Sequence, residues 1–172
     1  YSGNLSVTNS TFTGNSVNFP GSGTSNGGAI SFIGQGGIAG SFGVDINKNT
    51  FVNNTADGFG GAISANNSPN LSTSQIHFNR FYNNTSSASA LSSGLHFVES
   101  DGSVNAENNW WGCNTNPVSG SSTSPCKQAG GDLTGGGSLD ANPWLQLKVT
   151  SSPSTICSST PSALGNTSTI IA

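Results

Sequence analysis

Few residues in this chain are equipped for chemistry. Seven carboxylates (Asp45, Asp57, Glu99, Asp101, Glu107, Asp132, Asp140) stand against four cations (Lys48, Arg80, Lys127, Lys148) and two histidines (His77, His96). Glycoside hydrolysis needs two carboxylates facing one groove. Polysaccharide elimination needs clustered carboxylates for Ca²⁺ and a Lys or Arg base. Glu99 and Asp101 are close in sequence, but within GLHFVESDGS they read as a solvated turn. His77 follows Ile76, and His96 lies between Leu95 and Phe97, so strand alternation turns both outward as surface polar groups. The four cations show no partner pattern, and no GxSxG elbow or Ser/His/Asp order occurs. The expectation is a chain that is not an enzyme, with no catalytic residue, cofactor or metal.

Two other groups are candidates for binding or cross-linking. In ENNWWGCNTNP, Glu107 to Pro117, two tryptophans adjoin and a cysteine follows. Paired aromatics on a polar background suit a sugar platform or the end of a hydrophobic core. Cys113 and Cys126 would close a short loop containing Pro117 and Pro125. Cys157 is then left free or bonded to another chain. Paired thiols imply an oxidising compartment outside the cytoplasm, and the cysteine spacings fit no zinc pattern.

Composition narrows the class. Only 6% of the 172 residues are charged, 32% are hydrophobic, 24 are glycine and the net charge is −3. Low hydrophobicity without high charge, and nine Phe spread along the chain, argue against disorder and for an all-β protein surfaced by amides and hydroxyls. Four cations cannot make the basic stripe that nucleic acid requires. No apolar run approaches the ~20 residues of a membrane span. Tyr1 reads as the start of a mature or trimmed chain.

A repeat positions these residues. LSVTNSTFTGNS from Leu5, VDINKNTFVNNT from Val44 and SQIHFNRFYNNT from Ser74 each place an aliphatic residue (Val7, Ile46, Ile76) five before a Phe (Phe12, Phe51, Phe81). Each has Asn three after that Phe: Asn15, Asn54 and Asn84. GGAIS follows twice, at Gly27 and Gly60. The Phe steps are 39 and 30, and a further step of 29 reaches Trp110. Trp110 then takes the Phe position and Cys113 the Asn position, with Asn49, Asn79 and Asn108 (Ser10 in the first copy) aligned just before the aromatic.

Short β-like runs at this period, with no 3.6-residue periodicity, point to a parallel β-solenoid of about four coils and an extended C-terminal β tail. Equivalent residues then lie one above another at ~4.8 Å. Phe12, Phe51, Phe81 and Trp110 should form an interior aromatic stack, and the asparagines should bond from coil to coil. The 39-residue first repeat should carry an extra loop near Phe19–Asn26 or Gly34–Phe42. Trp111 aligns with Thr13, Val52 and Tyr82, so Tyr82 and Trp111 should be neighbours on the outer wall, either covered by the 114–126 loop or tail, or touching a ligand or partner.

The paired GGAI and FxxN motifs resemble the repeat of the right-handed parallel β-helix in bacterial polymorphic outer-membrane proteins and related surface adhesins. NNWWGCN followed by NPWL is similar to the last coil of β-helix domains in large bacterial surface proteins, where immunoglobulin-like repeats follow. The resemblance covers roughly residues 1–150, and it implies an extracellular or cell-surface adhesive module; the membrane barrel of the autotransporter pattern is absent from this sequence.

Domain organisation is expected as coils over 1–129 and a distinct segment over 130–172. Beyond Gly130 the repeat register is lost. LQLKVT, with Leu145, Leu147 and Val149 alternating, reads as a half-buried strand, and TSTIIA as another. This tail is the start of a next domain, a cap on the helix, or a strand given to a neighbour. Tyr82, Trp111, Trp144, Cys157, Ile170 and Ile171 are the residues left for an interface. The function expected is structural and adhesive, with head-to-tail self-association into a filament; a carbohydrate-binding or carbohydrate-cleaving β-helix is the alternative. Expected partners are further copies of the chain, and host or matrix glycans.

Overall fold

Asn, Gly and Ser corners divide the chain into short strands that recur four to a tier. The computed structural model describes residues 3–19, 25–33, 42–66, 74–87, 93–98, 103–117, 129–132, 138–152 and 169–171. The first tier holds β1 (Gly3–Thr8), β2 (Thr11–Thr13), β3 (Ser16–Val17) and β4 (Ile30–Ile33). The second holds β5 (Phe42–Asn47), β6 (Thr50–Val52), β7 (Thr55–Ala56) and β8 (Ile63–Asn66). The third holds β9 (Gln75–His77), β10 (Arg80–Tyr82), β11 (Thr85–Ser86) and β12 (Leu95–Val98). The fourth holds β13 (Ser103–Asn105), the bridge at Trp110 and β14 (Ala129–Asp132), and β15 (Ser138–Asp140), β16 (Thr150–Ser152) and β17 (Thr169–Ile171) follow. Each strand pairs with its equivalents in adjoining tiers, giving parallel stacks β1-β5-β9-β13-β15, β2-β6-β10, β3-β7-β11 and β4-β8-β12-β14. Among the described residues only β16 and β17 pair antiparallel. The described residues are thus all-β, in stacked parallel sheets compatible with a β-solenoid.

Alternation within three-residue strands selects the core. In Thr-Phe-Thr, Thr-Phe-Val and Arg-Phe-Tyr only the middle residue turns inward. Phe12 stacks on Phe51 at 4.9 Å between centroids and 6°, and Phe51 on Phe81 at 5.0 Å and 9°. Trp111 continues this column, 4.6 Å from Phe81 at 11°, and is fully buried. The fourth rung is therefore Trp111 and not Trp110. The physical reason is the backbone register: the Trp110 N–H donates to Asn79 O and the Phe81 N–H to Trp110 O, both at 2.8 Å, which sets Trp110 beside Arg80 on the outer face.

The asparagines form two interior ladders. Asn49 Oδ1 accepts the Ser10 N–H, Asn79 Oδ1 the Asn49 N–H, and Asn109 Oδ1 the Asn79 N–H, at 2.9, 2.9 and 2.8 Å. Asn109, not Asn108, is the fourth member. Asn15, Asn54 and Asn84 make the second ladder in the same way. The sharp corner itself falls on the preceding residue, which is left-handed: Asn9, Lys48, Phe78 and Asn108 have φ of 52, 57, 56 and 56°. One residue takes the strained backbone and the next turns its amide inward.

Phe78 is the misfit of that corner column, because a bulky side chain disfavours positive φ. Phe78→Asn, the residue that Asn9 and Asn108 supply there, is expected to raise stability by ~1 kcal/mol, read as a higher urea midpoint at unchanged slope.

The GGAI pairs serve close approach. A Cβ on Gly61 would fall on the carbonyl oxygens of Thr85 and Ser93. Gly60, at φ +62°, makes the turn before it. Asp57 fastens the first-tier loop, accepting the N–H groups of Phe19 and Ser25 at 3.0 Å each; these bonds, Phe19's foremost, hold its carboxyl below the usual value. Residues 20–24 and 34–41, where the extra loop was expected, lie outside the described residues.

The repeat is lost from the sequence after Gly130, yet the stacking continues. β14 pairs with β12 and β15 with β13. Residues 140–145 then run beneath the fourth tier: the N–H groups of Ala106 and Asn108 donate to Asp140 O and Pro143 O at 2.6 Å, and Leu145 N–H to Asn109 O at 2.9 Å. Of the strand expected over LQLKVT only Thr150 is in one, as the first residue of β16; Leu145, Gln146, Leu147, Lys148 and Val149 are not. Leu145, Leu147 and Val149 are all exposed, and the segment is held by side-chain amides in place of a ladder.

Candidate functional site

On the outer wall the second, third and fourth tiers present Lys48, Arg80 and Trp110 in succession. Lys48 and Phe78 stand at the left-handed corner; Arg80 and Tyr82 are the outward residues of β10. The Arg80 guanidinium carbon lies 5.2 Å from the Tyr82 ring centre and 5.1 Å from that of Trp110. Tyr82 and Trp110 are near-parallel, 6.0 Å apart at 19°. The outer-wall pair is therefore Tyr82 with Trp110, correcting the expected Tyr82 with Trp111.

The 145–147 segment forms the facing wall. Asn114 binds it in both directions, Nδ2 donating to Leu147 O at 2.7 Å and Oδ1 accepting the Leu147 N–H at 2.8 Å. Trp144 packs against the core from the outside and donates Nε1–H to Asn114 O at 3.3 Å. Between wall and segment runs a groove of about 610 Å³, lined by Lys48, Phe78, Arg80, Trp110, Leu145 and Leu147 among others. Phe78 and Tyr82 are 51% and 42% exposed, so aromatic faces are open to solvent at and beside it. No carboxylate lines the groove among the described residues.

Asn114, and not Cys113, lies one 30-residue step beyond Asn84. Cys113 is disulfide-bonded; Cys126 and Cys157 fall outside the described residues, so the Cys113–Cys126 pairing is not described. Ile170 and Ile171 belong to β17, opposite Ser151 and Thr150.

Among the described residues no carboxylate or histidine lines the groove. His77 Nε2 lies 4.0 Å from Asp45 Oδ1 on the outside of the β5–β9 pair. The residue opposite Gln75 in the next tier is Asn105, one place beyond the Val104 that a 29-residue step predicts. His96 is not a surface group: it is 3% exposed and stacked on Phe59 at 4.3 Å, because the turn carrying Phe59 lies over the sheet face it occupies. Glu99 and Asp101 fall outside the described residues. Among the described residues no three His, Cys, Asp or Glu side chains gather into a metal-holding group.

Considered singly, Lys48 and Arg80 give no sign of the groove in the sequence. Setting Lys48 and Phe78 in one 30-step column, with Arg80 two places on, would have placed two cations and an aromatic on one wall. No protein-family model, curated protein or solved structure matches this chain.

Proposed function

We propose that the chain is a non-enzymatic scaffold and adhesive module of a bacterial cell-surface protein, built as a right-handed parallel β-helix and associating end to end. One observation carries the end-to-end association. On the side of the first described tier away from β5–β8, the interior columns end in half-buried Leu5, Val7 and Phe12, whereas the residues beneath them, Val44, Ile46 and Phe51, are buried. A further tier would cover these apolar side chains, and Asn15 Oδ1 is placed to accept its N–H groups as Asn54 and Asn84 do below. Burying a half-exposed column of this kind contributes ~25 cal/mol per Å², and parallel edge strands template such pairing.

The far side is different, since residues 140–145 already take up N–H groups of the fourth tier. End-to-end growth in a head-to-tail sense therefore requires the first tier to seat against β15 and the tail. The outward amides and hydroxyls, with few charges, support a surface exposed to solvent outside the cell. Asp57 supports a structural role for its carboxylate, which accepts the N–H groups of Phe19 and Ser25.

Light scattering and negative-stain imaging test the proposal. The expected result is concentration-dependent oligomers or fibres, abolished by Phe12→Lys, which puts a charge on the exposed end of the column and leaves a cooperative melt. A wild-type chain that stays monomeric at high concentration overturns the association.

A further inference from the structure

We propose that the outer groove is a binding site for a linear, carboxylate-bearing polysaccharide. The inference goes beyond the scaffold role and stands on separate residues. Lys48 and Arg80 are two of the chain's four cations, in a protein of net charge −3, and both line one groove. Among the described residues no carboxylate lies within ion-pair distance of either. Two cations placed without acidic partners in so acidic a chain are complementary to an anion.

The neighbours of those cations define the rest of the ligand. Trp110, Tyr82 and Phe78 offer ring faces, which pack against the apolar faces of sugar rings, and the Arg80 guanidinium lies over two of them. Stacking holds the planar guanidinium in place and leaves its N–H edge for a bidentate carboxylate. Lys48, Arg80 and Trp110 belong to successive tiers, so the site runs roughly 10 Å along the stack at the ~4.8 Å strand spacing. That length suits an extended oligomer better than a lone anion. Phe78 occupies a left-handed corner that Asn fills in two other tiers. An aromatic kept there at a conformational cost is the kind of strain that marks a functional surface. An extended peptide is the poorer fit, since the wall is a sheet face whose strands are already paired on both sides, and strand addition needs a free edge.

The test is calorimetric titration of the full chain with oligomers of polygalacturonate, against neutral β-glucan oligomers of the same length, at low and moderate salt. Binding is expected for the uronate alone, weakening as salt rises. Arg80→Ala should weaken it at least about tenfold, the lower end of the loss for a charge-assisted contact; Trp110→Ala should weaken it about tenfold by removing a stacking face, and Lys48→Ala about threefold, as for an exposed point charge. Both Arg80 and Trp110 are on the outer face, and each variant is checked for a cooperative melt well above the titration temperature. Equal binding of the neutral oligomer, no binding at either salt, or wild-type affinity in a folded Arg80→Ala overturns the proposal. Arg80→Ala leaves the first tier untouched, so loss of glycan binding and loss of end-to-end association are read separately.

Discussion

Trp111→Ala is expected to lower the unfolding free energy by about 3–5 kcal/mol, and Trp110→Ala by about 1 kcal/mol or less, although the two residues are adjacent. Trp111 is fully buried and closes the aromatic column under Phe81, so its removal leaves a cavity the size of an indole between the third tier and the tail. Ring stacking adds ~0.5–1.5 kcal/mol per pair beyond area, and Trp111 ends the run that begins at Phe12. Trp110 is partly exposed, and its ring contacts Tyr82 and Arg80 on the surface. Trp111→Phe separates packing from polarity. The Trp111 Nε1–H has no partner among the described residues, so a phenylalanine matching the other three rungs should restore most of the loss. Urea denaturation followed by far-ultraviolet circular dichroism reads all three without relying on the altered fluorophores. A larger loss in Trp110→Ala than in Trp111→Ala would mean that the register of the fourth tier is the 29-residue one.

That register shows what the sequence makes legible. The step from Phe51 to Phe81 is repeated by every ladder bond between those tiers, such as Asn49 to Asn79 and Asn54 to Asn84. One identical residue at each position made the period readable. In the fourth tier the motif offers Asn108, Asn109, Trp110 and Trp111 together, so residue type cannot choose between steps of 29 and 30. The choice is made by the Asn79 amide reaching Asn109 and by the backbone bonds of Trp110. Everything tied to that step moved with it: the ladder member, the outward aromatic and the residue opposite Gln75. His96 failed for another reason. Alternation assigns it to the face away from the core, but the turn carrying Phe59 covers that face, and coverage by a distant loop leaves no trace in local periodicity. The tail misled in the opposite sense. Leu145, Leu147 and Val149 alternate like a strand, yet the Asn114 amide takes the backbone groups of Leu147 that a ladder would use. The groove exists because of that side-chain clasp, and so was hidden along with it.

Asn79→Leu, which keeps the branched four-heavy-atom skeleton and removes the amide, is expected to be about as damaging as Trp111→Ala, at about 3–5 kcal/mol. Asn79 is 1% exposed, and its amide is used in full. Oδ1 accepts the N–H and Nδ2 of Asn49 at 2.9 and 3.1 Å, while Nδ2 donates to Ile46 O at 2.8 Å and Asn109 Oδ1 at 3.0 Å. Leucine orphans the buried Asn49 N–H and strips a donor from two oxygens, where water cannot replace it; each buried orphan costs about 1–3 kcal/mol. Asn79→Asp tests the same geometry by charge. Its second oxygen would face Ile46 O and Asn109 Oδ1, so the ionised form is repelled and desolvated and the folded-state pKa rises above the ~3.9 of an unfolded aspartate. The sign follows: the protonated acid can donate where Nδ2 did, so stability is greatest below the unfolded pKa and falls as pH rises through the folded one. Asn79→Asp should therefore approach wild type near pH 4 and be strongly destabilised at pH 7. Asn83→Gly, at an exposed left-handed corner with one outward amide bond to Asn53, should shift stability by no more than about 0.5 kcal/mol at either pH. A pH-independent loss in Asn79→Asp would show that the ladder acts by packing alone and that its hydrogen bonds do not set the tier register.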